Sequence, residues 1–359
     1  MYKAIEMSIL NIVLRIFSFL LIFNILSAGG ERAILPDEYQ KMLRVGMDVD
    51  WAKTKKGRVA AQKSHDMGIN VPALFKKRGF DHVRIRIYGD VLKNQSYPYT
   101  GKRLIDEITL LVDDCLEAGI IPILAYRLDG LKNDPDNDSV MEHDVRWWQA
   151  VAKRFRNYPY TLSYDLVIEP GKKLKQHNDR LNLFYQRAVE AIHKIDPKRI
   201  VILAPNKLSN PYELKNLQIP RPSRYIMAEW HFYAAGPRPD HPKKQWTTGT
   251  PQEKRLVYDK IEAAMKWSRD TRIPTWVGAW MPANYNDKKT RLKKAPDGSP
   301  AGGDYTMSQQ IDFASYMSAA LQKAGIPFAI NSDTKYFDRD TNRWYPDKKR
   351  LLDVILKRY

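Results

Sequence analysis

Residues 103–126 read RLIDEITLLVDDCLEAGIIPILAY. Over 103–118 the apolar positions recur at helical spacing, and over 120–126 they merge into one continuous run. The Ala118-Gly119 step between them suits a left-handed cap, which lets the chain leave a helix and turn directly into a strand. A strand without polar alternation is buried on both faces, as strands are in a parallel sheet covered by helices. One such unit decides little, but its repetition decides the fold.

The unit recurs along the chain. Strand candidates fall at 43–49, 82–88, 120–126, 162–168, 199–205, 225–233, 273–279 and 326–331. Helical patterns lie at 103–118, 141–156, 177–194, 252–269, 307–323 and 347–357. Arg78-Gly79 and Ala324-Gly325 repeat the cap signal. Eight strands interleaved with helices predict an α/β fold of the (β/α)8 TIM-barrel type. No linker or change of composition interrupts the pattern, so residues 30–359 are expected to form a single domain.

Residues 1–29 differ in kind. Lys3 and Arg15 precede the apolar run 16–26, and Ser27-Ala28-Gly29 offers a cleavage site, which is the layout of a signal peptide. The run is about half of the roughly 20 residues that a spanning helix needs. The expectation is a secreted or periplasmic protein, without stable membrane insertion once the leader is removed. Cys115 is the only cysteine, so no intrachain disulfide forms, and its place in an amphipathic helix makes it structural.

A net charge of +18 suits a polyanionic partner, but the basic residues are scattered and no nucleic-acid-binding signature accompanies them. Nucleic acid is therefore not an expected partner, whereas an acidic polysaccharide stays open. There is no His pair at metal spacing, no Gly-rich phosphate loop and no Gly-x-Ser-x-Gly elbow, so neither a metal nor a cofactor is expected. A monomer is the expected state.

Barrel enzymes keep their chemistry at the carboxyl ends of the strands. TLSYDLVIEP (161–170) climbs to one carboxylate, Glu169, and stops at Pro170. Arg84 and Arg86 share a face of strand two, and an arginine buried there requires an anionic partner. Glu229, His231 and Tyr233 share a face of strand six. Strand seven ends in Trp276-Val277-Gly278-Ala279-Trp280, and tryptophans at a barrel mouth suit stacking on a sugar ring.

GFDHVRIRI (79–87), Asp134-Pro135, FRNYPYTLSYDLVIEP (155–170), MAEWHFYA (227–234) and IPTWVGAW (273–280) together resemble glycoside hydrolase family 5, the cellulases and related β-glycanases. The resemblance spans roughly residues 40–357. It implies a retaining mechanism with an acid/base at the end of strand four and a carboxylate nucleophile at the end of strand seven, about 5 Å apart. It assigns the acid/base to Glu169, the arginine that orients the nucleophile to Arg84, and the sugar-lining pair of strand six to His231 and Tyr233.

The departures from the family pattern carry as much information. Ile168 replaces the asparagine before the acid/base, Tyr126-Arg127 stands where a histidine is usual, and Asn331 replaces a tryptophan platform. Ala279 occupies the nucleophile position. The leading expectation is hydrolysis of internal β-1,4 bonds in a cellulose or β-glucan type of polysaccharide. Its catalytic residues would be Glu169 and Glu229, and Arg84, Tyr126, His231, Tyr233, Ala279, Trp280 and Asn331 would contact the sugar. Asp129 and Asp333 are other candidates for the second carboxylate. The alternative is an inactive relative, or a nucleophile-knockout form, that binds glycan without cleaving it.

Overall fold

The computed structural model describes residues 32–222, 224–232, 246, 248–282 and 306–358. Nearly all of these belong to one compact unit, Ile34–Tyr359. Eight parallel strands close into a barrel in sequence order: β1 (Val45–Ala52), β2 (His82–Ile87), β3 (Ile121–Tyr126), β4 (Ser163–Asp165), β5 (Val201–Leu203), β6 (Ile226–Phe232), β7 (Thr275–Trp280) and β8 (Phe328–Asn331). This is the (β/α)8 barrel that the repeated unit predicts.

Helices α1 (Pro36–Leu43), α2 (Lys55–Asp66), α3 (Val71–Arg78), α4 (Leu104–Glu117), α5 (Asp138–Phe155), α6 (Asn178–His193), α7 (Pro251–Thr271), α8 (Met307–Lys323) and α9 (Lys349–Leu356) complete the described helical elements of two turns or more. Those from α4 onward occupy the segments where the helical period is clear, whereas α1 to α3 are too short or too charged to announce themselves. Between β5 and β6 the described connection holds no long helix, only short helical turns such as Pro211–Asn216. A small hairpin of β9 (Phe337–Asp338) and β10 (Arg343–Trp344) follows β8.

Alternation along the strands sorts side chains into two layers. Outward residues such as Val83, Leu124, Tyr126, Val277, Trp280 and Phe328 join the large core between strands and helices. Inward residues Ile121, Ile123, Ile200, Ile202, Met227, Trp276 and Ala329 form a second apolar cluster inside the barrel, which Tyr39 and Leu43 of α1 extend. The Tyr39 hydroxyl donates to the Thr161 carbonyl and bonds Ser163 Oγ, each at 2.8 Å, fixing α1 to the floor. Above it His82 bonds the Leu43 carbonyl through Nδ1 at 2.6 Å and accepts from Trp276 Nε1 at 3.2 Å. Both ring nitrogens are thereby used by a neutral imidazole, and burial lowers its pKa to about 4. Gly46 leaves room for that ring, since a Cβ there would lie 2.3 Å from His82 Nε2.

Gly79, Gly119 and Gly325 all adopt positive φ, as the cap steps predict. Arg272 makes the same left-handed exit from α7 at φ 60° without being glycine. A non-glycine residue there is strained by about 1–2 kcal/mol, part of which glycine returns as extra freedom of the unfolded chain. Arg272→Gly should therefore raise stability by about 0.5–1 kcal/mol, read as a higher thermal midpoint. A lower midpoint would contradict the strain argument.

Candidate active site

Charge fills the upper half of the barrel. Asp48 on β1, Arg84 on β2, Asp165 on β4 and Glu229 on β6 all point inward and are at most 1% exposed. Arg84 is the hub: Nε donates to Asp165 Oδ2 at 2.7 Å, and Nη2 lies 2.6 Å from Asp165 Oδ2 and 3.1 Å from Glu229 Oε2. Its Nη1 is 3.6 Å from Asp48 Oδ1. Arg86, one layer higher, pairs with Asp48 at 3.0 Å and with Asp50. The anionic partners that two inward arginines require are thus present, which uses Asp48 and Asp50 as counter-ions.

His231 joins this layer to the mouth. Its Nδ1 lies 2.9 Å from Glu169 Oε1 and its Nε2 lies 3.3 Å from Glu229 Oε2, so one ring bridges both expected catalytic carboxylates. Burial alone would lower its pKa, but the two carboxylates hold the imidazolium up at about 9. Burial would raise Glu169 in turn, yet the hydrogen bond and charge of His231 bring it down to about 2. Glu169 is therefore ionised at neutral pH in this arrangement, opposite to what a general acid requires.

The deeper carboxylates divide. Burial lifts Asp165 to about 7, Arg84 opposes the rise and the neighbouring Glu229 adds to it. For Glu229 burial acts upward too, but Arg84 and His231 outweigh it and keep the pKa low. Asp165 makes the closer contacts to Arg84 and still carries the raised value. Burial raises Asp48 as well, against the pull of Arg86 and Arg84, so among the three carboxylates around Arg84 only Glu229, which also faces His231, is held low.

Glu169 has its side chain 37% exposed and adopts φ 51°, a left-handed conformation that aims the carboxylate toward His231. Lys132, in the helical turn after β3, sits beside it and donates from Nζ to the Ile168 carbonyl. Burial lowers its pKa to about 8 against the attraction of Glu169. On the other side Leu208 N donates to Pro170 O at 2.7 Å, and the next residue, Ser209, donates from Oγ to Glu229 Oε1 at 3.1 Å. Lys207, Leu208 and Ser209 form a run of three residues at positive φ. That turn ties the Glu169 loop to the buried carboxylate beneath it.

Three expectations are corrected. Trp280 does not face the mouth: it is fully buried in the outer core, edge-on to Phe313 of α8 and Phe328 of β8. The cause is one extra residue in β7, since Glu229 pairs with Trp276 and Trp230 with Val277, but His231 pairs with Ala279. The bulge falls at Gly278, shifts the alternation and turns Trp280 outward. Trp276 is equally far from a sugar, in the floor. Tyr126 also points outward, stacked on Trp147 of α5 at 3.9 Å with its hydroxyl 3.4 Å from Asp144 Oδ1. Arg127, the next residue, is the one near the mouth, over the ring of Tyr88 at 4.4 Å.

Ala279 shares the His231 face and is buried, so no carboxylate from the end of β7 enters the site. Asn331 ends β8 beside Asp48 and is partly exposed. Glu229 is wholly buried, beneath rather than in the mouth. Asp333 is turned away to Arg339 and to the Asp50 amide. Asp129 is half-exposed and holds Arg127 at 2.8 Å and Lys172 at 3.1 Å. Tyr233, and most of the long stretches 234–251 and 281–306 that follow β6 and β7, lie outside the described residues. Among the described residues no cluster of His, Cys, Asp and Glu could hold a metal ion.

Sequence reasoning missed Asp165, Ser209 and Lys132. Asp165 had a signal: an acid inside an apolar strand must have a partner, and Arg84 was available. Ser209 and Lys132 sit in connections, where spacing says nothing about direction.

Residues 44–318 match the family model described as cellulase, glycosyl hydrolase family 5. Endoglucanase H of Acetivibrio thermocellus is 28% identical over 270 residues, which is 74% of this chain but only 28% of that protein. The chain thus spans less than a third of the length of the curated relative it matches. Among solved structures, Thermotoga maritima Cel5A with cellobiose superposes with a TM-score of 0.67 at 19% identity, covering 89% of this chain and 99% of that one. The same enzyme with mannotriose gives the same score, identity and coverage. A broad-specificity endoglucanase from a Clostridium species gives 0.67 at 15% identity, over 90% and 98% of the two chains. Such distant structural likeness shows the barrel alone, and the match over most of the sequence shows the ancestry: the chain belongs to the cellulase family, glycosyl hydrolase family 5.

Proposed function

We propose that this chain binds a β-1,4-linked glucan-type polysaccharide at the carboxyl-end mouth around Glu169 and does not cleave it by the family's double displacement. The observation that carries this reading is Ala279: the residue paired with His231 at the end of β7 presents a methyl group where the reaction needs a carboxylate. Acid assistance alone contributes roughly 10²–10⁴-fold, far short of what glycoside cleavage needs. Glu169, held ionised by His231, is better placed to accept hydrogen bonds from sugar hydroxyls than to donate a proton. Support for the ligand class comes from family membership and from the cellobiose and mannotriose bound by a protein of the same fold. The leader-like residues 1–29 support an exported protein that meets its polysaccharide outside the cytoplasm.

Affinity gels containing soluble β-glucan, mannan or xylan, run beside reducing-end assays between pH 4 and 8, test the reading. Retardation by β-glucan without reducing-end release is expected, with retardation weakened in Glu169→Gln. Release that disappears in Glu169→Gln would overturn it. That result would favour a second reading, hydrolysis of internal β-1,4 bonds with Glu229 as the other carboxylate, which the bridge through both ring nitrogens of His231 favours. Under that reading Glu229→Gln also abolishes release, and the imidazole swings aside to admit the sugar.

A further inference from the structure

We propose that Glu229 and a carboxylate at position 279 are alternative occupants of one charge site beside Arg84, and that this chain has filled the site from β6 instead of β7. Four observations meet here. Glu229 Oε2 lies 3.1 Å from Arg84 Nη2, the guanidinium that the family resemblance gives the task of orienting the β7 carboxylate. The same oxygen lies 3.3 Å from His231 Nε2, while Oε1 accepts from Ser209, so the carboxylate is anchored on three sides. Strand β7 is shaped around it: a Cβ on Gly278 would come within 1.9 Å of Glu229 Oε2 and 3.3 Å of His231 Nε2. Ala279, the next residue along, shares the His231 face and is fully buried, leaving that side of the hollow to a methyl group.

The electrostatics make the two positions exclusive. Arg84 already faces Asp48, Asp165 and Glu229. A glutamate at 279 would add a fourth carboxylate in a buried setting where like charges disfavour joint ionisation. The Ala279→Glu reversion on its own therefore adds repulsion, and Glu229 has to give up its charge before the β7 position can be refilled. The exclusion does not depend on glycan binding.

A substitution cycle tests it. Glu229→Gln keeps the shape and removes the charge, while Ala279→Gln shows the cost of size without charge. Thermal midpoints are measured for the parent, Ala279→Gln and Ala279→Glu, each with and without Glu229→Gln. Glu229→Gln is expected to lower the midpoint in the parent and in Ala279→Gln, where it strips Arg84 of a partner, and to raise it in Ala279→Glu. The same sign in all three backgrounds would overturn the proposal. Reducing-end release from β-glucan gives a reading that a purely structural role for Glu229 would not move. The double variant Ala279→Glu with Glu229→Gln should exceed Ala279→Glu alone by at least about 100-fold. Equal rates in the two would overturn it. Gel retardation of the same six proteins tests glycan binding separately.

Discussion

Replacing Arg84 with methionine is expected to remove about 3–5 kcal/mol of folding stability, because it strips buried Asp165 of the cation it faces and leaves Asp48 to Arg86 and Glu229 to His231 alone. Asp48, Asp165 and Glu229 converge on this one guanidinium, and none is more than 1% exposed. Methionine fills most of the volume, so the loss isolates charge from packing. The orphaned carboxylates escape part of the penalty by taking up protons. The deficit relative to the parent should therefore shrink as pH falls from 7 toward 4. Urea unfolding followed by circular dichroism at both pH values reads both effects. A loss below about 1 kcal/mol at pH 7 would mean that the network is screened or already protonated.

The second large effect belongs to His231. Its pKa in the folded protein is about 9, against an ordinary value near 6.5. A raised pKa means that folding favours the protonated ring, so its stabilisation is complete below about pH 6.5 and disappears as pH rises through about 9. The difference corresponds to about 3 kcal/mol between those limits. Glu169, depressed to about 2, is the other end of one of the same contacts. Its share is present above its ordinary pKa near 4 and is lost as pH falls toward 2, and the two shares overlap and are not added. Between pH 7 and 10 the parent should lose stability more steeply than His231→Gln, in which the slope from this ring is gone. Equal slopes in the two proteins would remove His231 as the link between the carboxylates.

The barrel was legible because its signal is repeated. Eight apolar runs appear in the right order, and three glycines mark helix exits where the backbone turns left-handed. Parts of the site were legible for the same reason: Arg84, Glu229 and His231 sit on strands, where period two fixes which side chains share a face, whereas Glu169 lies in the loop four residues past the end of β4. Trp280 failed because the period was broken. Nothing in TWVGAW says that β7 carries an extra residue, and only the approach of Glu229 to Gly278 reveals why that residue is glycine. Tyr126 failed differently. The strand was right, but the face was judged from a family position that Arg127, one residue on, comes nearer to filling. Ser209 and Lys132 depend on loop conformations, including three successive left-handed residues that no pattern of residue types announces.

The pairing of inward arginines with inward carboxylates also bears on the protein as a colloid. Arg84 and Arg86 spend their charge on Asp48, Asp50, Asp165 and Glu229. These two arginines therefore contribute nothing to the outward pull of the +18 excess, and charge that is exposed is screened by added electrolyte. Adhesion to an anionic surface or resin would fade in half-molar sodium chloride, whereas neutral glucan held in the mouth would stay.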